Sequence, residues 1–343
     1  MRPSRGWRAL DSINLSDDFS KLWIEEASRL PVKVDVYHTR VFAAAPNGGN
    51  PCPVIPDAAD FSDSEMLRFA KQFGLDTAFI LPPKALQGHI RIRYFVPDHE
   101  MGVSGHATIA ALTVALGLGL ISKERVSVET TSGIFESQRQ RGNGSKIVIT
   151  VKQLAPSFGV EADTVEVSKV LQAFPDEIDT TRSPIQSVSV SRAKLLIPVQ
   201  DSRRLDRLSP DFEAMWKLCE RLNVTGFYAF TRMPTRDRGD VDARQFPYRA
   251  GFPEDAATGV AAAALAAYLT RYDLDCKEGE HVFQVGQGYA MGAPSRIEAV
   301  ATCSGHEITG TAIRGSCQVV NKETVVLRSH SAVRRQVAER NSI

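Results

Sequence analysis

Two acidic residues stand directly before a long apolar stretch in the second half of the chain. Glu254 and Asp255 are followed by a turn of small residues that ends at Gly259, and then by the alanine-rich run 260–269. This run predicts a helix that is apolar on every side and must be enclosed by other structure. The first turn of a helix leaves unpaired N–H groups with a partial positive charge, so this end is a ready anion-binding site with two carboxylates beside it. The same pattern fits an ordinary cap at Thr258 or Asp255.

The first half of the chain contains a similar stretch. Residues 102–106 form another turn of small residues, and an alanine-rich apolar run begins at Gly105. When Gly105 is aligned with Gly259, Gly133 and Gly288 also fall into nearly equivalent places, 28 and 29 residues further on. This weak repeat predicts two similar domains, each with one buried helix. If the two helix N-termini face each other, a small anionic substrate would fit between them.

The composition is that of a soluble globular protein. Of the 343 residues, 43% are hydrophobic and 24% are charged, and the formal net charge is +1. This balance gives no indication of a nucleic-acid partner or an acidic membrane surface. No run approaches the ~18 apolar residues of a membrane span, and no signal-peptide pattern follows Met1. We therefore expect a cytoplasmic protein.

The sequence gives no indication of a metal or a redox cofactor. The five cysteines form neither a Cys-x-x-Cys pair nor a metal-ligand spacing, and a scattered, odd set fits a reducing compartment better than a disulfide framework. Glycines at 286, 288 and 292 superficially resemble a dinucleotide loop, but Ala293-Pro294-Ser295 follows them instead of a helix. The context of a dinucleotide-binding fingerprint is missing, so we expect no nicotinamide or flavin.

Strands outnumber helices along the chain, which favours an α+β fold over alternating βαβ units. Ser62 and Glu65 form a capping box, which predicts a helix through about Phe73, and residues 18–30 and 160–175 predict two more. The last strand of the second domain could pack back on the first. The divisions we expect are an N-terminal extension (1–32), an N-terminal domain (33–154), a C-terminal domain (155–328) and a polar tail (329–343).

Six short motifs occur in order within residues 33–330. They are Gly49-Asn50-Pro51, Leu75-Asp76-Thr77-Ala78-Phe79, Arg93-Tyr94-Phe95-x-Pro97, Gly105-His106-Ala107-Thr108, Glu254-Asp255-x-Ala257-Thr258-Gly259 and Gln287-Gly288-x2-Met291-Gly292-x-Pro294-Ser295. Each one is weak alone, but six in this order and spacing are specific. Together they resemble the PhzF family, the phenazine-biosynthesis-type isomerases that share the diaminopimelate epimerase fold.

The resemblance implies an α+β fold of two pseudo-repeated domains, each a curled, barrel-like sheet around a central buried helix, with the active site in the cleft between them. It implies a cofactor-independent isomerase that acts on a small, carboxylate-bearing molecule, and we expect a homodimer. The catalytic residues it implies are Asp76, His106 and Asp255. The substrate-binding residues it implies are Asn50, Gly105, Ala107, Thr258, Gly259 and Val260.

The sequence departs from the family pattern near the expected site. Asp76 stands where the family usually has its acid–base glutamate. Aspartate is one methylene shorter, so its carboxylate is withdrawn by roughly 1.5 Å, and misplacement on that scale can cost about 10²-fold in rate. The usual proline after the Glu-Asp pair is Ala256, and the usual serine after Thr-Gly is Val260. The paired cysteines of a diaminopimelate epimerase are absent.

Our mechanistic hypothesis is that Asp76 removes a proton from a C–H activated by a neighbouring carbonyl or diene and returns it elsewhere on the same molecule. His106 and Asp255 would relay or donate the second proton, while helix N–H groups would hold a substrate carboxylate or the developing oxyanion. Two other functions remain open. One is a catalytically divergent or inactive homologue that binds a small molecule, and the other is a cofactor-independent epimerase or cyclase of specialised metabolism.

Overall fold

The computed structural model of the chain describes residues 31–142, 147–235 and 237–328. The helix expected at 18–30 and the tail at 329–343 lie outside these residues. Within them the chain forms seventeen strands, six α-helices and a short 3₁₀-helix at Pro175–Glu177. No helix in this described part is long and apolar enough to cross a membrane.

Strands predominate throughout the chain. They are β1 (Pro31–Val41), β2 (Asn50–Ile55), β3 (Thr77–Leu81), β4 (Ile90–Phe95), β5 (Glu100–Met101), β6 (Arg125–Thr130), β7 (Gly133–Arg141), β8 (Ile147–Gln153), β9 (Ser157–Glu161), β10 (Gln186–Ser189), β11 (Lys194–Pro198), β12 (Gly226–Thr231), β13 (Val241–Pro247), β14 (Gly279–Gln287), β15 (Ser295–Ser304), β16 (Glu307–Gly315) and β17 (Cys317–Arg328). The α-helices are α1 (Asp63–Phe73), α2 (Gly105–Gly117), α3 (Thr164–Val170), α4 (Ser202–Arg207), α5 (Phe212–Leu222) and α6 (Gly259–Asp273).

All seventeen strands belong to one open, curled sheet made of two halves with the same topology. The first half-sheet has the spatial order β17–β1–β2–β3–β4–β6–β7–β8, with β5 paired to β4, and the second has the order β9 to β16. In both, successive neighbours are antiparallel, antiparallel, parallel, antiparallel, parallel, antiparallel and antiparallel. The antiparallel pair β8–β16 joins the halves. The expected α+β fold with two repeated halves is confirmed, whereas the domain boundaries stay a prediction.

Each half-sheet wraps around one central helix. α2 connects the parallel neighbours β4 and β6, and α6 connects β13 and β14, because parallel strands need a connection that crosses the face of the sheet. α2 packs against β1, β2, β3 and β8, and α6 packs against β10, β14, β15 and β16. Every residue of α6 from Gly259 to Thr270 is buried, which explains why this sequence is apolar on all sides.

The outer helices begin at caps that the sequence indicates. The hydroxyl of Ser62 accepts a hydrogen bond from the Glu65 backbone N–H, and the Glu65 carboxylate accepts one from the Ser62 N–H. The capping box predicted for α1 is therefore confirmed. The helix predicted at 160–175 is shorter, Thr164–Val170, because β9 comes directly before it and the carboxylate of Asp163 caps its first turn.

The two central helices meet end to end at their N-termini. Gly105 and Gly259 lie so close that a Cβ atom on either one would stand 3.7 Å from the Cα atom of the other. The buried side chain of Ile313, on β16, fills the space beside them. A Cβ atom at position 105 would stand 2.6 Å from its Cδ1 atom, and one at position 259 would stand closer still. The absence of a side chain at both positions therefore leaves room for Ile313 beside the contact.

Two of the five cysteines are bonded to each other. Cys276 and Cys303 form a disulfide, with their Cα atoms 5.9 Å apart. The register of β14 and β15 places Gly279 opposite Cys303 and so brings Cys276 alongside. The scattered cysteines favour a reducing compartment over a disulfide framework, and this one pair departs from that expectation, because sequence spacing does not show which strands are neighbours. The cytoplasmic location, argued in part from the cysteines, stays a prediction.

The variant Gly259→Ala should destabilise the fold, because the added methyl group would press against Cδ1 of Ile313 in a buried contact. We expect the free energy of unfolding to fall by about 1–3 kcal/mol, as in other overpacked cores. Combining it with Ile313→Val, which removes Cδ1, should recover most of the loss in urea denaturation. The control is Gly117→Ala at the far end of α2, where a Cβ atom meets nothing within 4 Å and the change should be neutral or stabilising. Equal losses in the single and double variants would contradict this account.

Candidate active site

A cavity opens where the two central helices meet. Residues from the first turns of both helices line it, together with the turn before each one; they include Ser104, Gly105, Thr258, Gly259 and Val260. Neither N-cap residue, Ser104 or Thr258, uses its side chain to cap its own helix. First-turn N–H groups of both helices therefore stay available at the cavity, where they favour an anion.

Three candidate catalytic side chains reach this cavity from different elements. Asp76 lies in the turn between α1, which ends at the left-handed Gly74, and β3. His106 is the second residue of α2. Asp255 lies just before α6, where its backbone N–H donates to the carbonyl of Gln245. The fold thus brings together acid–base groups that are far apart in sequence.

Asp76 and His106 form a close pair. Oδ2 of Asp76 lies 3.6 Å from Nε2 of His106, and the two side chains are only 11% and 5% exposed. Oδ1 of Asp76 and Nε2 of His106 are buried with no hydrogen-bond partner among the described residues. The other ring nitrogen of His106, Nδ1, lies 3.4 Å from Oγ of Ser104. Unsatisfied buried polar atoms are rare in folded proteins, so two of them at one cavity indicate a functional site.

Burial raises the pKa of Asp76 to about 6, because the ionised carboxylate loses its hydration. The charge of His106 opposes this rise and that of Asp255 adds to it, while the more distant cations Arg192 and Lys194 oppose it. A carboxylate with a pKa near 6 is still ionised at neutral pH and is a stronger base than an ordinary aspartate. The environment of Asp76 therefore suits proton transfer.

Asp255, by contrast, is held in a fixed orientation. Nδ2 of Asn50 donates to Oδ1 of Asp255 at 2.6 Å and to the carbonyl of Ala257 at 2.8 Å, and the hydroxyl of Thr258 donates to Oδ2. Gln287 braces the same turn, because its amide donates to the carbonyl of Asp255 and accepts from the N–H of Thr258. Both oxygens of this carboxylate therefore have partners, unlike those of Asp76.

The structure separates the expected substrate-binding residues into two groups. Asn50 is buried behind the cavity and acts on Asp255, and Ala107 is enclosed within α2, so neither lines the cavity. Their roles toward a substrate stay predictions. The four that do line the cavity are Gly105, Thr258, Gly259 and Val260.

Three polar residues of the cavity wall escaped the sequence analysis: Arg192, Lys194 and Gln245. Lys194 is the first residue of β11, whose other residues are apolar, and it is only 4% exposed. Gln245, on β13, is 1% exposed. A lysine at the start of an otherwise apolar, buried strand is unusual, and this feature of the sequence could have indicated that Lys194 lines a functional site.

Comparisons with known proteins identify the family. The model of the phenazine biosynthesis-like proteins, PhzC-PhzF, matches residues 39–323. The chain belongs to this family. YddE, an uncharacterised isomerase of Escherichia coli K12, is 30% identical to this PhzF-family protein over 303 residues, which cover 82% of this chain and 96% of YddE. The trans-2,3-dihydro-3-hydroxyanthranilate isomerase of Pseudomonas chlororaphis is 29% identical over 287 residues, which cover 83% of this chain and 97% of that enzyme.

A solved structure agrees with this assignment. The crystal structure of a PhzF-family phenazine biosynthesis protein from Bacillus anthracis matches with a TM-score of 0.79 and 26% identity, over 86% of this chain and 100% of that one. The family, the fold and the isomerase class expected from the sequence are thereby confirmed. No group of three or more His, Cys, Asp or Glu side chains in the described ranges is arranged to hold a metal ion.

Asp76→Asn should stabilise this PhzF-family protein at neutral pH. Because the pKa of Asp76 rises from 3.8 to about 6 on folding, the folded state binds more protons than the unfolded state between these values, and wild-type stability falls as the pH rises through them. Asparagine does not titrate. We expect the advantage of Asp76→Asn in the free energy of unfolding to grow by about 2 kcal/mol from pH 4 to pH 7. Urea denaturation at both pH values measures it.

Asp35→Asn is the matched control. Asp35 is partly exposed on β1, and hydrogen bonds from Lys322 and Thr324 lower its pKa, which is the opposite direction. The stability that its carboxylate contributes is present above the unfolded pKa, so removing it should give no gain at pH 7. An advantage of Asp76→Asn that is the same at pH 4 and pH 7 would show that the folded-state pKa of Asp76 is not raised.

Proposed function

We propose that this chain is a cofactor-independent isomerase that moves a proton within a small, carboxylate-bearing molecule in the cavity between the two central helices. The observation that carries the proposal is the Asp76–His106 pair, two buried acid–base groups 3.6 Å apart that line one cavity and each keep an unpartnered atom. Family membership supports an isomerase, and the chemistry of these side chains supports proton transfer as its means.

The reaction we infer begins at Asp76. Its carboxylate removes a proton from a carbon next to a carbonyl or a diene, so that the C–H bond breaks and its electron pair enters the conjugated system. The proton then returns to a different carbon, either from Asp76 or through His106, and the double bond shifts. Asp255, held by Asn50, is the second carboxylate available to donate or accept a proton. Atoms and electrons balance within one substrate molecule, so the reaction requires no cofactor.

The helix N-termini supply the positive field for this reaction. The Thr258 N–H already donates to Gln287, so we assign the role to the N–H groups of Gly105, His106 and Gly259. They are suited to hold a substrate carboxylate or the oxyanion that forms when a proton leaves carbon next to a carbonyl. Donors of this kind are typically worth about 10²–10³ in rate when they stabilise a developing oxyanion.

The curated relatives suggest which compounds to test first. The Pseudomonas chlororaphis relative is named for trans-2,3-dihydro-3-hydroxyanthranilate, a small cyclic diene acid. We propose substrates of this general class, small unsaturated amino or hydroxy acids, for the present chain. The homodimer and the cytoplasmic location stay predictions.

Val260 is the observation that favours a second candidate function, the binding of a small acid without turnover. It lines the cavity where the family usually has a serine, so a hydroxyl is missing beside the substrate. A homologue that has lost turnover would bind a small acid in the same cavity without exchanging its protons. An epimerase would return the proton to the same carbon from the other face, and a cyclase would couple proton transfer to a new bond.

Deuterium incorporation from D₂O separates these functions. We expect wild-type protein to place deuterium on a new carbon of trans-2,3-dihydro-3-hydroxyanthranilate, or of another small unsaturated amino or hydroxy acid in a test panel. Asp76→Asn and Asp76→Ala should lower the exchange rate by about 10²–10⁴-fold, because they remove the general base. Mass spectrometry and NMR of the product locate the label.

The surface variant Asp35→Asn should exchange at the wild-type rate. Label on the original carbon with inverted configuration would indicate an epimerase instead. Exchange that appears only in Asp76→Glu would mean that the shorter side chain has disabled an ancestral activity. Tight binding in calorimetry without any exchange would favour the binding protein.

A further inference from the structure

Two cations of the cavity wall lack an ion-pair partner. Arg192 and Lys194 both line the cavity, yet no carboxylate in the described part of the chain lies within 4.0 Å of either charged group. Arg192 donates from Nη1 to the thioether of Met101, a weak acceptor, and Lys194 donates from Nζ to the carbonyl of Thr225. Asp76 and Asp255 line the same cavity and act on both cations electrostatically, but from beyond 4.0 Å. Because buried charges in proteins are normally paired at close range, this wall is suited to bind a further anion.

Arg244 shows how this fold treats a buried cation whose role is structural. Its guanidinium forms a bidentate pair with Glu254, at 2.9 and 2.7 Å, and Nη1 donates to three backbone carbonyls of residues 205, 206 and 208. Arg244 and Lys194 are 9% and 4% exposed, so the two environments are comparable in depth. Arg244 has an ion-pair partner within the chain, which fits a structural role, whereas Lys194 has none within 4.0 Å, which fits a role in binding a ligand.

Gln245 adds an independent observation. Its side chain is 1% exposed and lines the same cavity, yet neither Oε1 nor Nε2 has a hydrogen-bond partner among the residues described. An unsatisfied buried amide costs about 1–3 kcal/mol, which a folded protein rarely tolerates without a ligand. The amide offers one donor group and one acceptor, so a ligand that satisfies it must present both an acceptor and a donor.

We propose that Arg192, Lys194 and Gln245 form a recognition subsite for the carboxylate of an amino or hydroxy acid. The two cations and the Gln245 Nε2 group donate to the carboxylate, and Oε1 of Gln245 accepts from the neighbouring amino or hydroxyl group. This inference deepens the proposed function and rests on it for the identity of the bound molecule as a substrate. With the carboxylate held here, the helix N-termini remain free for the oxyanion.

The electrostatics of the wall support this assignment. Burial and the charge of Arg192 lower the pKa of Lys194 to about 7, although the charges of Asp255 and Asp76 act in the other direction. A bound carboxylate would favour the charged form of Lys194, because opposite charges at short range stabilise each other. Binding of an anion at this subsite would therefore form an ion pair and favour a fully charged Lys194.

Binding of three related probes tests the subsite without turnover. 2-Aminobenzoate carries both recognised groups, 2-aminobenzamide lacks the charge, and benzoate lacks the adjacent donor. We expect wild-type protein, in titration calorimetry, to bind 2-aminobenzoate about ten- to a hundredfold more tightly than 2-aminobenzamide.

Lys194→Met should abolish most of this preference, whereas Lys194→Arg should keep it. Gln245→Leu should abolish the preference for 2-aminobenzoate over benzoate. Lys152→Met, at an exposed ion pair with Glu136, is the control and should match wild type.

The outcomes distinguish this inference from the proposed reaction. Repeating the titrations in Asp76→Asn should leave the preferences in place, because that variant removes the base and not the subsite. If the preferences appear but no protein exchanges deuterium, the subsite stands and the isomerase proposal falls. Three results would overturn the subsite even if deuterium exchange occurs. The first is equally tight binding of 2-aminobenzoate and 2-aminobenzamide by wild-type protein, and the second is no binding of 2-aminobenzoate by that protein. The third is a folded Lys194→Met variant that keeps the wild-type preference.

Discussion

The contact between the backbones of Gly105 and Gly259 is the constraint on which the rest of the molecule depends. A Cβ atom on either glycine would stand at ordinary contact distance from the opposite helix, but it would collide with Cδ1 of Ile313, so both positions must lack a side chain. The contact directs two positive helix ends toward one point. The half-sheets that enclose the helices meet there as well, through the pairing of β8 with β16, so the cavity lies where the repeated halves join.

This geometry sets the charge balance of the cavity. Asp76 and Asp255 oppose Arg192 and Lys194, and the helix ends add partial positive charge. The fully hydrogen-bonded Asp255 is rigid, whereas Asp76 lacks strong partners and has its pKa raised by burial. The two carboxylates thus differ in their surroundings: both oxygens of Asp255 accept hydrogen bonds, whereas Oδ1 of Asp76 has no partner among the described residues. Because Asp76 lacks such hydrogen bonds, burial raises its pKa, which suits it to exchange a proton.

Much of this arrangement could be predicted from the sequence. The apolar runs after Gly105 and Gly259 predict the central helices, because a helix with no polar face must be enclosed. Strand β13 is not apparent, because Asp242, Arg244 and Gln245 lie buried within it, and three polar residues hide the pattern of a buried strand. The ion-pair partner of Asp242 is Arg238, four residues away, and that of Arg244 is Glu254, ten residues away, but a pattern of apolar positions does not show that these charges are satisfied. The positions of Arg192, Lys194 and Gln245 on the cavity wall depend on how the strands are arranged, which no local pattern shows.

Buried polar groups of this fold are satisfied to different degrees. The buried carboxylate of Asp242, for example, is paired with Arg238. At the cavity, however, Asp76, His106 and Gln245 all keep buried atoms without partners. In the described part of the chain, four of the twelve buried side-chain nitrogen and oxygen atoms without a hydrogen-bond partner belong to these three residues, and the other eight lie on eight different side chains. Each such atom costs the folded state about 1–3 kcal/mol. At the cavity, unlike at the other eight side chains, one bound molecule could offset several of these costs together, because it would supply hydrogen bonds and charge to a shared wall.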